Sequence, residues 1–167
     1  MIIMNNQMSD FLKFAYEKGK VKELDEAFVE FNPKDEWHEG KIENVLNEDK
    51  HNYSTYSIGD IVFVKEYYYE DGKKGNNHLF VIIDQNNVAV PIENFGMIIS
   101  SQIEKLKYNQ NKLIKKNNKN GLHKDSIVKT DVIYKINNEN ILFKIGTVDD
   151  KNIEEYKKSF YNINKKN

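Results

Sequence analysis

From Tyr53 to Val148, short runs of β-branched and aromatic residues recur between breaks bearing glycine and asparagine. This alternation limits the possible folds more than any other feature of the chain. "YSIGDIVFVKEYYY", "HLFVIID", "VAVPI", "SIVKTDVIYKI" and "ILFKIGTV" each read as a strand. "EDGKKGNN" reads as a turn or loop and "QNN" as a short turn. Pro91 assigns the third run to an edge, a bulge or a strand end, because proline has no N–H for the ladder. The lysine-rich "SSQIEKLKYNQNKLIKKNNKNG" reads as a short helix around Ile103 and Leu106 that ends as a loop. Asp149-Asp150 can cap a closing helix with Ile153, Tyr156 and Phe160 on one face. Short strands at hairpin spacing followed by one helix predict a mainly β, α+β fold, a small β-barrel or half-barrel.

Residues 1–52 differ in character. Ser9-Asp10 can cap a helix from about Phe11 to Lys18 with Gly19 as its stop, and Phe11, Leu12, Ala15 and Tyr16 form its apolar face. Val21, Leu24, Ala27, Phe28 and Phe31 predict a second helix, which Asn32-Pro33 ends. "DEWHEGKIENVLNEDKHNYS" then runs acidic, with Trp37, Ile42, Val45 and Leu46 as apolar anchors. The 167 residues are therefore expected to divide into an acidic helical extension, 1–52, and a barrel domain, 53–167.

A net charge of −1 conceals a segregation. Residues 23–49 hold ten carboxylates against two lysines, and residues 101–130 hold eight lysines against two carboxylates. An acidic arm and a basic body imply self-contact or two different partners. All 25 basic residues are lysine, so a phosphate contact must use Lys, His, backbone N–H or polar side chains without a guanidinium fork. The lack of cysteine excludes a disulfide frame, a thiolate metal site and a cysteine nucleophile. No apolar run reaches the roughly 20 residues that a bilayer crossing needs. "MIIMNNQMSD" has neither the basic start nor the apolar run of a signal peptide. These features favour a cytoplasmic protein that does not enter membranes.

The order of the segments carries a resemblance. "GDIVFV" is similar to a first strand of Gly-Asp-Ile-Val and apolar residues, and "HLFVII" sits where Arg-Pro-Val-Leu-Val-Ile is usual. "VAVPI" looks like the third strand. "LHKDSIVKTDVIYKI" resembles Leu-x-Lys-Asp-Ser-x-Val-x-x-Asp, and "KIGTV" the closing Ile-Gly-x-Leu. Together they resemble the MazF/PemK family of toxin endoribonucleases over roughly residues 56–160. The resemblance implies an SH3-like barrel, usually a homodimer, that cleaves single-stranded RNA without metal or cofactor. It also implies an antitoxin that lays an acidic peptide with apolar anchors over the RNA groove.

Metal-free RNA cleavage needs a base for the 2′-OH proton, an acid for the leaving 5′-oxygen and positive charge on the phosphate. By resemblance, the family's arginine on the second strand falls on His78, and the following proline on Leu79. The Thr or Ser after the third strand falls on Glu93, and the Arg-x-Asp of the PemK branch on Lys129 and Asp131. This implies His78 as general acid, Glu93 or Asp131 as base or histidine-orienting group, and Lys129 on the phosphate. Lys73 and Lys74 add charge from a loop, Tyr108 can stack on a base, and Thr130 joins them as an RNA-contacting group. Strand alternation puts Lys129 and Asp131 on one face and Thr130 on the other.

Each of these residues also has an ordinary structural role open to it. His78 can be a histidine at a strand start, Glu93-Asn94 turn chemistry, and Lys129/Asp131 a surface ion pair worth roughly 0–1 kcal/mol. The 105–119 segment can be a solvated loop, and His38, His51 and His123 are too scattered for a metal site. The N-terminal arm reads either as a helical cap packed on the barrel or as a built-in inhibitor. A binding module on the same barrel competes with the nuclease, because fold does not fix function.

Overall fold

The computed structural model describes residues 8–25, 55–65, 68–69, 78–89 and 91–165. The first element, α1 (Asp10–Glu17), forms as its capping residues dictate. Ser9 Oγ accepts from the Leu12 N–H at 3.1 Å and donates to Asp84 at 2.7 Å. At the other end Lys20 N–H donates to Ala15 O and Gly19 N–H to Tyr16 O, with Gly19 at φ +68°. That is a Schellman stop, and it turns the chain straight into β1 (Val21–Asp25).

The strand β1 replaces the first turns of the second helix expected from the sequence; residues 26–31 lie outside the described residues. Val21 and Leu24, three apart, lie in different core clusters. Residues an odd number apart point to opposite faces of a strand, so an apolar pair at this spacing can imitate a helix. Here β1 runs parallel to β8 (Ile133–Asn137) and antiparallel to β3 (Tyr68–Tyr69).

The remaining strands are β2 (Asp60–Val64), β4 (His78–Asn86), β5 (Glu93–Ser100), β6 (Asn111–Ile114), β7 (Ser126–Lys129) and β9 (Ile141–Thr147). The nine described strands form one sheet in the order β3-β1-β8-β5-β4-β2-β9, with β7 also pairing β5 and β6. β5 is shared along its length: Glu93 to Gly96 face β8, and Ile99 and Ser100 face β7. The chain closes with α2 (Asp150–Asn164), which buries Ile153, Tyr156 and Phe160 as expected; Asp149 holds the N-cap position, but its carboxylate meets Lys119 Nζ at 2.9 Å and makes no capping bond. The result is a small, barrel-like α+β fold.

Three segments depart from the sequence reading. The third strand is Glu93–Ser100, whereas Val88 and Ala89 lie in the turn before Pro91. Its Gly96 serves close packing: a Cβ there would sit 2.9 Å from Val81 O and 3.2 Å from Ile136 Cδ1. "SIVKTDVIYKI" is two strands broken at Thr130–Val132, because β7 follows one half of β5 and β8 the other. The supposed loop after the 3₁₀ helix Ile103–Lys107 contains β6, which pairs with β7 from Asn111↔Lys129 to Ile114↔Ser126.

Both faces of the sheet are apolar. One face packs Val81, Met97, Ile99, Val128 and Ile133 against Leu12 and Ala15 of α1 and Ile153, Tyr156 and Phe160 of α2. The other gathers Leu24, Val62, Val64, Phe80, Ile82, Ile98 and Ile136. Phe160, fully buried, meets Phe11 at 5.3 Å and Phe14 at 6.0 Å between ring centroids. Burying such a ring contributes about 2–3 kcal/mol, so α1 belongs to the same core as the barrel strands.

Candidate active site

Three strand ends converge on one cavity. β4 begins at His78, β5 ends at Ser100 and β7 begins at Ser126. Leu79 pairs with Ile99 and Ile99 with Val128, so one step further along the ladder His78 and Ser100 stand on neighbouring strands. They open on a cavity of about 520 Å³. Phe63, Leu79, Ile99 and Ile145 give it apolar walls, and Ser100, Ser101, Gln102, His78, His123 and Lys124 supply its chemistry.

The loop carrying His123 and Lys124 is fixed by asparagines. Asn120, 1% exposed, accepts from Asn117 N–H and Leu122 N–H and donates to Lys115 O. Asn117 in turn accepts from the Lys119 and Asn120 amides at 2.8 Å. Gly121 at φ +68° presses on β9 where a Cβ would fall 2.2 Å from Ile145 O, so no other residue fits there without displacement. The asparagine-rich "KKNNKNG" is therefore a built support for the cavity rim.

Burial pushes the His78 imidazole below its ordinary 6.5, and the charge of Lys129 pushes it the same way. The neutral ring is favoured at neutral pH, which suits a proton acceptor. The sequence expectation gives it the general-acid role instead. Ser100 Oγ accepts from Gln102 N–H at 3.1 Å and keeps its own proton to donate. The Ser126 hydroxyl instead donates to Lys124 O at 3.0 Å.

Lys129, at the end of β7, does not line the cavity and acts on His78 through its charge, and the other expected residues separate. Glu93 sits at the far end of β5 from Ser100, seven residues and about 23 Å away along a strand. Its carboxylate meets Lys135 Nζ at 3.0 Å and accepts from Asn86 at 3.2 Å. Burial would lower the Lys135 pKa, but Glu93 and Glu23 outweigh that and raise it, so this cluster is a structural ion network. Glu93 is thus neither base nor orienter for His78. Asp131 lies in the turn after β7, its carbonyl accepting from Asn164, and does not line the cavity. Thr130 is fully buried: its hydroxyl donates to Gln110 O at 2.8 Å and lies 2.6 Å from Ser159 Oγ. It holds β7 to α2 and cannot reach RNA. Tyr108 is exposed, with Lys107 Nζ 5.4 Å from its ring centroid. Lys73 and Lys74 lie outside the described residues. Among the described residues no three His, Asp or Glu side chains gather as a metal site requires.

Sequence reasoning missed Ser100, Ser101, His123 and Lys124. The third strand, expected to end before Glu93, ends at Ser100, with Ser101 following it. Among the described residues no helix is long and apolar enough to cross a membrane. The search of curated proteins returns no match. Residues 57–163 match the family described as PemK-like, MazF-like toxin of type II toxin-antitoxin system. α1 and β1 lie outside that span although they complete its sheet and core. With the larger part of the chain matched, from the turn before β2 to the end of α2, this protein belongs to the PemK-like, MazF-like toxin family of type II toxin–antitoxin systems.

Proposed function

We propose that this toxin-family chain is a metal-independent endoribonuclease that cleaves single-stranded RNA by attack of the 2′-OH on the adjacent phosphorus. The single observation that carries the reading is the meeting of a neutral-biased imidazole with serine, histidine and lysine side chains on one cavity. His78 takes the 2′-OH proton as O2′ bonds to phosphorus. The P–O5′ bond breaks, and His123 gives its proton to O5′. The products are a 2′,3′-cyclic phosphate and a 5′-hydroxyl. Lys124, Lys129 and the Ser100 hydroxyl stabilise charge on the non-bridging oxygens, the largest kind of contribution in most such sites.

On this reading the protein works in the cytoplasm as an SH3-like homodimer, under the control of an antitoxin, and arrests growth or serves defence. The acidic stretch within residues 1–52 competes for the same basic surface, as a built-in inhibitor or a partner-binding segment. Incubation with single-stranded RNA in EDTA tests the proposal. Cleavage leaving cyclic phosphate ends is expected, lost in His78→Ala and His123→Ala and reduced in Ser100→Ala. One observation favours a second reading, a binding module without catalysis: the family's arginine is replaced by His78 in a chain with no arginine at all. Tight RNA binding without cleavage under the same conditions selects it.

A further inference from the structure

We propose that residues 103–116 form a second RNA-contacting surface, which holds unpaired nucleotides of the substrate strand beyond the cavity. The inference rests on the endoribonuclease reading of that cavity. Of the eight large apolar side chains exposed among the described residues, four fall in this short stretch: Ile103 (41%), Leu106 (37%), Tyr108 (48%) and Leu113 (40%). Five lysines stand among them, with Glu104 the one carboxylate in the stretch. Exposed rings and methyl groups interleaved with ammonium groups match a ligand with apolar faces and an anionic backbone. The ligand must be unpaired, because a duplex hides its base faces.

The surface continues the site. Ser101 and Gln102 line the cavity, and Gln102 is the residue that opens the 3₁₀ helix Ile103–Lys107. The platform is preformed: Asn111 donates through Nδ2 to Lys105 O at 2.8 Å and through its backbone to Tyr108 O at 3.0 Å. Lys107 Nζ above the Tyr108 ring sets a phosphate-neutralising charge beside a stacking face.

The test uses the full chain and 2′-O-methyl oligoribonucleotides, which lack the attacking hydroxyl, of roughly four and roughly twelve nucleotides. Binding is read by fluorescence anisotropy across a salt series. The double variant Leu106→Ser/Tyr108→Ser should weaken the longer oligomer about 10-fold, within the range of a lost base stack, and leave the shorter one unchanged. Lys105→Gln/Lys107→Gln should reduce the salt slope for the longer oligomer by about 1.4, the contribution of two phosphates on a single strand. Equal losses for both lengths would overturn the proposal, since the residues would then merely support the cavity. Unchanged affinity for the longer oligomer would overturn it as well. If the variants then lose binding to a poly-glutamate peptide instead, the patch is a protein-docking face. If neither length binds and no RNA is cleaved, the endoribonuclease reading falls and this proposal with it.

Discussion

Acidification should switch off RNA cleavage through His78, and removing Lys129 should move the pH at which this happens. Burial is the larger cause of the lowered imidazole pKa and Lys129 the second, so the acid limb of kcat/KM should lie below 6.5. Lys129→Gln leaves the burial in place, so the limb should move up towards 6.5 without passing it. His78→Ala should cost about 10²–10⁴-fold in kcat/KM, the usual contribution of a general base, and remove the limb. Initial rates on a single-stranded oligoribonucleotide in EDTA, over a pH series, supply the measurement. Stability has the same origin and a definite sign. The folded pKa lies below the unfolded 6.5, so the contribution is fully present above 6.5 and lost as pH falls through the folded pKa. Thermal midpoints should therefore drop on acidification, and His78→Gln should blunt the drop. An acid limb above 6.5 in the wild type, or a downward shift in Lys129→Gln, would refute the assignment of His78 as a buried base.

Thr130→Val should lower stability by about 1–3 kcal/mol by leaving the buried Ser159 Oγ without its Thr130 partner, while Gln110 O keeps the Thr130 N–H, and should not change RNA affinity in a binding titration. At 2–4 °C per kcal/mol for a domain of this size, the melting point should fall by roughly 2–12 °C. Gly121→Ala forces a Cβ against Ile145 O at a positive φ, so it should cost about 1–3 kcal/mol from the backbone strain alone. It should also lower kcat, because the same turn carries His123. Burial pushes the Tyr156 phenol up to about 12 from 10, so stability should hold below pH 10 and decline as pH rises through 12. The loss amounts to about 3 kcal/mol, and Tyr156→Phe should abolish it in alkaline denaturation curves.

The sequence disclosed those elements whose local chemistry and tertiary context agree. Ser9 and Gly19 delimit α1, and the one-sided face of α2 is written in Ile153, Tyr156 and Phe160. Reading failed where tertiary packing sets the pattern. Val21 and Leu24 look helical because they point to opposite faces of β1 and into different core clusters, and Glu93-Asn94 look like a turn after Pro91 although they open β5. The second error propagated to the site. With the third strand ended at Ile92, the expected site residue falls on Glu93, although the strand ends at Ser100, at the other end of Glu93–Ser100. His78 was legible because it opens a strand whose apolar run is unmistakable. His123 and Lys124 were not, since only the asparagine network and Gly121 bring their loop to the cavity.

The absence of arginine has a structural consequence for this cavity. A guanidinium offers five donors in a fixed fork and never gives up its charge, so it clamps a phosphate but exchanges no proton with it. An imidazole at the head of β4 gains the proton chemistry and gives up the permanent clamp. On the endoribonuclease reading, the clamp then comes from ammonium groups, each a point charge on a flexible stem, and the backbone supplies the accuracy. Lys129 is held between the β6–β7 ladder and the Thr130–Ser159 anchor, and Lys124 by the loop that Asn120 organises. It follows that residues far from RNA should control kcat. Asn120→Ala removes three hydrogen bonds and no charge, so on this argument it should lower kcat while His78 keeps its acid limb. A variant that is fully active, with its fold intact by near-ultraviolet circular dichroism, would show that the ammonium groups need no such positioning.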